Sequence, residues 1–288
     1  MNLQNGDAVV FNGPKLPLEK KRFPLYEDIG DYDAIVETTL ATVCGSDVHT
    51  WLGHRPFPTP CILGHEMVGK IIAIGNNLKT DFNGEKLGIG DKVVWSMTVG
   101  CGECFFCKKE LPQKCTKMFK YGHVKSDEKP HFTGGFAKYV HLKKGSYIFK
   151  VSSELSDEEV APLMCAGSTI TSGLDYAEFQ ECDYVVIQGC GALGMYACAF
   201  SKQLGAKKVI AIDIMNERLK MAKQFGADVT INAKESKEKV LDEIMTITNN
   251  RGVDVVIEVT GEPSVINQGL KMTRVGGTYI LLLSLIHI

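Results

Sequence analysis

The sequence has no run of apolar residues approaching the roughly 18 that a membrane-spanning helix requires. It also has almost no net charge, because 32 basic and 34 acidic side chains leave only −2. With no field of one sign, no block of like charges and no low-complexity run, nothing attracts nucleic acid or a lipid surface and nothing marks a disordered tail. The N-terminus, Met1 to Asp7, lacks both the positive n-region and the apolar h-region of a secretion signal. The expected address is therefore the cytoplasm, where the ten cysteines stay reduced and serve as metal ligands or packing rather than disulfides. The expected partner is a small molecule, with no nucleic acid and no membrane.

What is present is an ordinary globular composition, 44% hydrophobic and 23% charged over 288 residues, long enough for two cores. Up to about residue 150, short β-type runs are broken by Gly and Pro, with strands expected at Ala34–Thr39, Met67–Ile74, Lys92–Ser96 and Phe136–His141. From Asp183 the rhythm becomes strand, helix, strand, helix, the pattern of a parallel α/β sheet. Strands are expected at Tyr184–Gln188, Lys208–Asp213, Val229–Asn232, Asp254–Val259 and Thr278–Leu282, with four helices between them at Leu193–Leu204, Glu217–Phe225, Glu238–Thr248 and Ser264–Met272. Each crossover is long enough for the right-handed connection that a parallel pair demands.

Cys101, Cys104 and Cys107 repeat at intervals of three, and Cys115 follows eight residues later. Four thiolates in one loop make a closed tetrahedral zinc site with no position for substrate, so this site is structural. A second cluster packs Cys44, Ser46, Asp47, His49, His65 and Glu66 into one stretch. Cys44 and His65, completed by Cys165, form a Cys2His set with a vacant fourth position, as a catalytic zinc requires. Two thiolates and a neutral imidazole balance Zn²⁺, which then acts as a Lewis acid on a bound alcohol. Asp47 is expected to accept the second N–H of His65, Glu66 to approach the metal during water exchange, and His49 to pass the released proton to solvent. Cys61, Cys182, Cys190 and Cys198 have no partner spacing and read as packing. Trp51 and the loop Gly53–Phe57 either shape the substrate pocket or simply cover a loop.

Gly189-Cys190-Gly191-Ala192-Leu193-Gly194 fits GxGxxG, follows an apolar strand and opens a helix, and Asp213 stands 24 positions after Gly189. In that context the pattern is a dinucleotide fingerprint, with pyrophosphate on the helix N-terminus and the carboxylate on the adenosine ribose. Asp213 favours NAD, because it repels the 2′-phosphate of NADP. Arg218 is a counter-signal near the ribose.

These motifs, with Gly69, Gly75, Gly90-Asp91, Gly134-Gly135-Phe136-Ala137 and Cys165-Ala-Gly-Ser-Thr169, resemble the zinc-containing medium-chain alcohol dehydrogenases from about residue 30 to 282. The resemblance implies a GroES-like β-rich catalytic domain over residues 1–166 and a Rossmann doubly wound parallel sheet over 167–288. It also implies catalytic zinc on Cys44, His65, Cys165 and transiently Glu66, a proton relay through Ser46 and His49, and cofactor contacts including Thr169. Hydride would pass from the alcohol carbon to NAD in a homo-oligomer, a dimer or tetramer. The loop Trp51–Ile62 and the run Leu111–Cys115 resemble the group associated with phosphonate catabolism, while polyol and threonine dehydrogenases share most of the same text. The non-enzymatic counterpart is a zinc and dinucleotide scaffold or sensor. The family continues past the fifth Rossmann strand, so the sheet is expected to be incomplete at the C-terminus. Residues 283–288 match a translated sequencing adapter and are expected not to be native.

Overall fold

A computed structural model of the chain describes residues 5–25, 29–234 and 237–283. The chain divides into two units, Met1–Cys165 and Ala166–Ile288. Among the described residues no helix is long and apolar enough to cross a membrane.

The first unit is antiparallel. Its strands are β1 (Gly6–Phe11), β2 (Glu19–Phe23), β3 (Ala34–Thr42), β4 (Cys61–Ile62), β5 (Glu66–Ile74), β6 (Lys92–Trp95), β7 (Thr98–Val99), β8 (Phe119–Lys120), β9 (Tyr139–Leu142) and β10 (Ile148–Lys150). They form a five-stranded sheet in the order β10-β6-β5-β3-β9, a three-stranded sheet β2-β1-β4 and the pair β7-β8. The long pair β3 and β5 runs from Ala34 opposite Ile74 to Thr42 opposite Glu66, with register shifts at Ile35/Val36 and Thr38/Leu40. That register carries the end of β3 to the start of β5, where the polar cluster begins. Val36, Met67, Ile71, Trp95, Tyr121 and Leu142 fill the core beneath. Each such side chain contributes about 1.5–3 kcal/mol of burial.

Two features of this unit depart from the periodicity. Phe136 is not in a strand, because its N–H donates to Leu63 O and its C=O accepts from Val9 N, so β9 starts only at Tyr139. The polar stretch from Cys44 to His49, for which no helix was expected, contains helix α1 (Gly45–Trp51). The remaining short helices are α2 (Phe105–Lys108) and α3 (Asp157–Val160).

The second unit comprises α4 (Ala166–Tyr176), β11 (Tyr184–Gln188), α5 (Ala192–Gln203), β12 (Lys208–Asp213), α6 (Asn216–Gln224), β13 (Val229–Asn232), α7 (Lys237–Ile247), β14 (Val253–Glu258), α8 (Ile266–Met272) and β15 (Thr273–Leu281). Its sheet is parallel in the order β13-β12-β11-β14-β15, doubly wound about the central β11. Helices cover both faces, which explains why β11 reads as an uninterrupted apolar run. Val185 and Ile187 pack with Ile170, Leu174, Ala197 and Cys198, whereas Val186 packs with Val240, Ile244 and Met272. β15 begins five residues before the expected Thr278, with Thr273 opposite Val253, and its register then shifts between Val253 and Val255. Of the expected non-native tail, residues 284–288 lie outside the described residues.

Candidate metal and dinucleotide sites

Cys44 caps the N-terminus of α1 in extended conformation, and Asp47 at the third helical position reaches back so that its Oδ2 accepts from Cys44 N at 2.9 Å. The other oxygen, Oδ1, lies 3.4 Å from Gly64 N and 3.3 Å from His65 Nδ1. The approach to Nδ1 lacks the alignment of a full hydrogen bond. It nevertheless assigns Nδ1 to the carboxylate and leaves Nε2 for a metal. Gly64 permits the turn: its φ is +91°, and a Cβ there would lie 2.9 Å from Phe136 N. One carboxylate thus ties the α1 cap to the turn that presents His65.

Cys165 arrives from the far end of the unit. The Ser156–Glu159 capping box starts α3, a 3-10 turn over Ala161–Met164 follows, and Val160 and Ala161 lock the turn against Val68 and Val94. The ligand atoms of Cys44, His65 and Cys165 all lie within 4.8 Å of one another. Zn–S bonds of about 2.3 Å at a tetrahedral angle require sulfurs roughly 3.8 Å apart, and Cys44 Sγ to Cys165 Sγ is 4.0 Å. The donor set fits zinc. Hydrogen bonding between the two sulfur groups lowers the Cys44 pKa and, with burial, pushes the Cys165 thiol up. Burial pulls His65 down, but Asp47 and Cys44 outweigh it and raise it to about 9.

Three expected neighbours behave differently from one another. Ser46 Oγ lies 3.1 Å from His65 Nε2, beside the donor set. Glu66 stands beside the three converging donors rather than among them, and its Oε2 accepts from Thr42 Oγ1 at 2.7 Å. Burial lifts its carboxyl to about 7. His49 lies exposed on α1, with Nδ1 3.0 Å from Nδ1 of His54 in the loop Gly53–Phe57.

Cys101, Cys104, Cys107 and Cys115 also converge within 4.8 Å. Cys104 caps α2 and lies 3.6 Å, sulfur to sulfur, from Cys107, while Cys101 N and Lys117 N both donate to Cys115 Sγ at 3.3 Å. The spacing suits a tetrahedral Zn(Cys)4 centre, and the N–H···S bonds stabilise thiolate.

In the second unit Gly189 has φ +98°, and a Cβ on Gly194 would lie 2.0 Å from Gly189 O, so both positions admit only glycine. A Cβ on Gly191 would meet open space. There the uncapped start of α5 leaves N–H groups for an anion, which fits a dinucleotide. Ala192 is exposed in that first turn, whereas Leu193 packs into the core. Asp213, 7% exposed, does more than end β12: Oδ2 accepts from Cys190 N at 2.7 Å and Oδ1 from Met215 N at 2.9 Å, with Arg218 Nη1 3.8 Å away. Thr169, in the first turn of α4, is half-buried and makes no hydrogen bond to the glycine turn among the described residues.

Comparison with known proteins agrees with this arrangement. Residues 30–153 match the alcohol dehydrogenase GroES-like domain and residues 192–282 the zinc-binding dehydrogenase domain. The chain is 31% identical over 94% of its length to zinc-type alcohol dehydrogenase B of Aspergillus flavus, spanning 62% of that protein. Against sorbitol dehydrogenase of Bacillus subtilis it is 31% identical, covering 94% of this chain and 72% of the relative. An alcohol dehydrogenase structure from Thermotoga maritima superposes with a TM-score of 0.91 at 38% identity, covering 96% of this chain and 77% of that one. With its two zinc centres and its dinucleotide turn, the chain belongs to the zinc-containing medium-chain alcohol dehydrogenase family.

Proposed function

We propose that the protein transfers a hydride between a small alcohol, such as a polyol or hydroxy acid, and NAD, with the metal held by Cys44, His65 and Cys165. The observation that carries this reading is the convergence of those three ligand atoms within 4.8 Å, an incomplete donor set with Ser46 beside it. Zinc bound there supplies Lewis acidity that lowers the pKa of a coordinated alcohol. Asp47 orients His65, Ser46 Oγ accepts the substrate's hydroxyl proton as its own O–H proton is released, and His49, one helical turn along α1, passes the released proton to water. Glu66, hydrogen-bonded to Thr42, is the carboxylate that would approach the metal when water is exchanged. Gly189, Gly191, Ala192, Leu193 and Gly194 cradle the pyrophosphate, Thr169 contacts the cofactor, and Asp213 with Arg218 binds the ribose and disfavours NADP.

The sorbitol dehydrogenase relative supports a polyol. The likeness of Trp51–Ile62 and Leu111–Cys115 to the phosphonate-associated group adds hydroxyalkylphosphonates to the substrates considered. The working form is a cytoplasmic homo-oligomer, a dimer or tetramer. The scaffold or sensor reading is disfavoured by Ser46 and His49, since a retired zinc site has no physical need for a proton relay. The test is NADH formation by the zinc-loaded protein with diols, polyols, threonine, hydroxy acids and hydroxyalkylphosphonates. Turnover abolished by Cys44→Ser is the expected result. Binding of zinc and NADH without oxidation of any alcohol would establish the scaffold instead.

A further inference from the structure

One cation in the first unit is unexplained by the zinc chemistry. Lys120 ends the short strand β8 and is half-buried. Among the described residues its Nζ has no carboxylate partner and no hydrogen bond, and its contact is the face of Phe57, 5.9 Å to the ring centroid. Phe57 packs edge-on against His123 at 4.2 Å, and His123 lies 5.4 Å from the ring of the zinc ligand His65. A run of ring contacts therefore connects the metal site to the Lys120 ammonium.

The electrostatics point the same way. Burial pulls the Lys120 pKa down, the like charge of Arg55 adds to that, and the opposing influences come from Cys165, Asp47 and Cys44, the catalytic cluster itself. Arg55 is also half-buried and lacks an acidic partner among the described residues. His123 is itself held in place, its Nδ1 donating to Tyr121 O at 3.1 Å. Lys92 shows how a half-buried lysine is ordinarily accommodated here, with its ammonium 2.9 Å from Asp157. Removing a cation from water without a partner costs free energy, and placing a second cation within its reach adds to that cost. Both costs are relieved when an anion enters.

Resting on the alcohol-oxidation reading above, we propose that Lys120, assisted by Arg55, receives an anionic group carried by the substrate alcohol, a carboxylate or a phosphonate. Zn²⁺ with two thiolates is neutral, so an alkoxide and a second anionic group on the substrate bring negative charge that these two cations balance. The substrate class is then an alcohol with an acidic substituent, rather than a neutral polyol.

Three alcohols of similar skeleton test this on the zinc-loaded full chain with NAD: propylene glycol, lactate and hydroxypropylphosphonate. The expected result is a kcat/KM for at least one acidic alcohol about tenfold or more above that for the neutral diol, the scale of one hydrogen bond to a charged group. Lys120→Met should collapse that ratio by a similar factor, and Lys120→Arg should restore most of it. Lactate or the phosphonate alone identifies which acid is recognised. Preference for propylene glycol, or an equal loss on all three alcohols in Lys120→Met, would overturn the proposal. If no alcohol is oxidised, calorimetric titration with the two acids still decides. Binding that Lys120→Met abolishes upholds the anion site and leaves the oxidation reading at fault, and no binding by the unmutated protein overturns the anion site itself.

Discussion

Asp213 shows how one side chain serves both the fold and the proposed cofactor preference. Its two oxygens already accept from Cys190 N and Met215 N, so the carboxylate shapes the glycine turn before any ribose arrives. Asp213→Ser removes a charge that repels a 2′-phosphate, and it also releases two backbone N–H groups. Two effects should follow. NADH affinity should fall about tenfold or more, as expected for losing hydrogen bonds to a charged acceptor, and the preference for NADH over NADPH should narrow. Fluorescence titration with both reduced cofactors measures each effect, and an unchanged preference would remove Asp213 from the discrimination. At this scale the sequence was legible where donor chemistry is narrow: Cys44, His65, Cys165 and the four-cysteine loop stand where thiolate and imidazole spacing placed them. Lys120 and His123 were not legible, because a lone lysine or histidine carries no spacing and only tertiary contact gives it meaning.

Among the elements, β11 and β12 occupy the residues their apolar runs indicated, since burial on both faces leaves little else for such runs to do. Helix α1 was hidden for the opposite reason. Gly45, Ser46, Asp47, His49 and Thr50 are weak helix formers, and the turn is held by Asp47 on Cys44 N and by Thr50 Oγ1 on Ser46 O. The parallel sheet has a comparable device at the N-terminal end of its strands. Asp254 of β14 accepts from Tyr184 N at the start of β11, from both Arg251 Nη atoms at 2.8 Å, and from Arg274 Nε of β15 at 2.5 Å. Burial alone would raise this carboxyl, but Arg251, the Tyr184 amide and Arg274 together hold it at about 2. A folded value below the ordinary one means stabilisation that is complete above about pH 4 and lost as pH falls toward 2. Asp254→Asn should lower hydrogen-exchange protection of Tyr184 and its β11 neighbours about tenfold near neutrality. In the unmutated protein that protection, corrected for intrinsic exchange, should decline only below about pH 4. A difference between the two proteins that persists unchanged into acid would show that Asp254 acts through packing rather than charge.

For the molecule as a whole, the two zinc centres should fail in different ways, because one builds a lobe and the other builds chemistry. Around Cys101–Cys115 the only regular structure is α2 and a 3-10 turn at Pro112–Lys114, and none of α2 is buried. Such a lobe has little apolar burial to offset its conformational entropy, so metal binding supplies the ordering free energy, about 10–16 kcal/mol in zinc-finger peptides. The catalytic donors, by contrast, sit on elements that fold for other reasons: the Asp47 clamp, the β3–β5 register and the apolar contacts of Val160 and Ala161. Elemental analysis of the intact protein should therefore find two zinc ions per chain. Cys104→Ser should yield a poorly folded or protease-sensitive protein, with cleavage concentrated in the cysteine loop. Cys44→Ser should retain one zinc and an unfolding transition within a few degrees of the parent, while losing turnover. If the fully folded parent held a single zinc ion, or if Cys104→Ser melted like the parent while Cys44→Ser unfolded, the division between a structural and a chemical metal would be wrong.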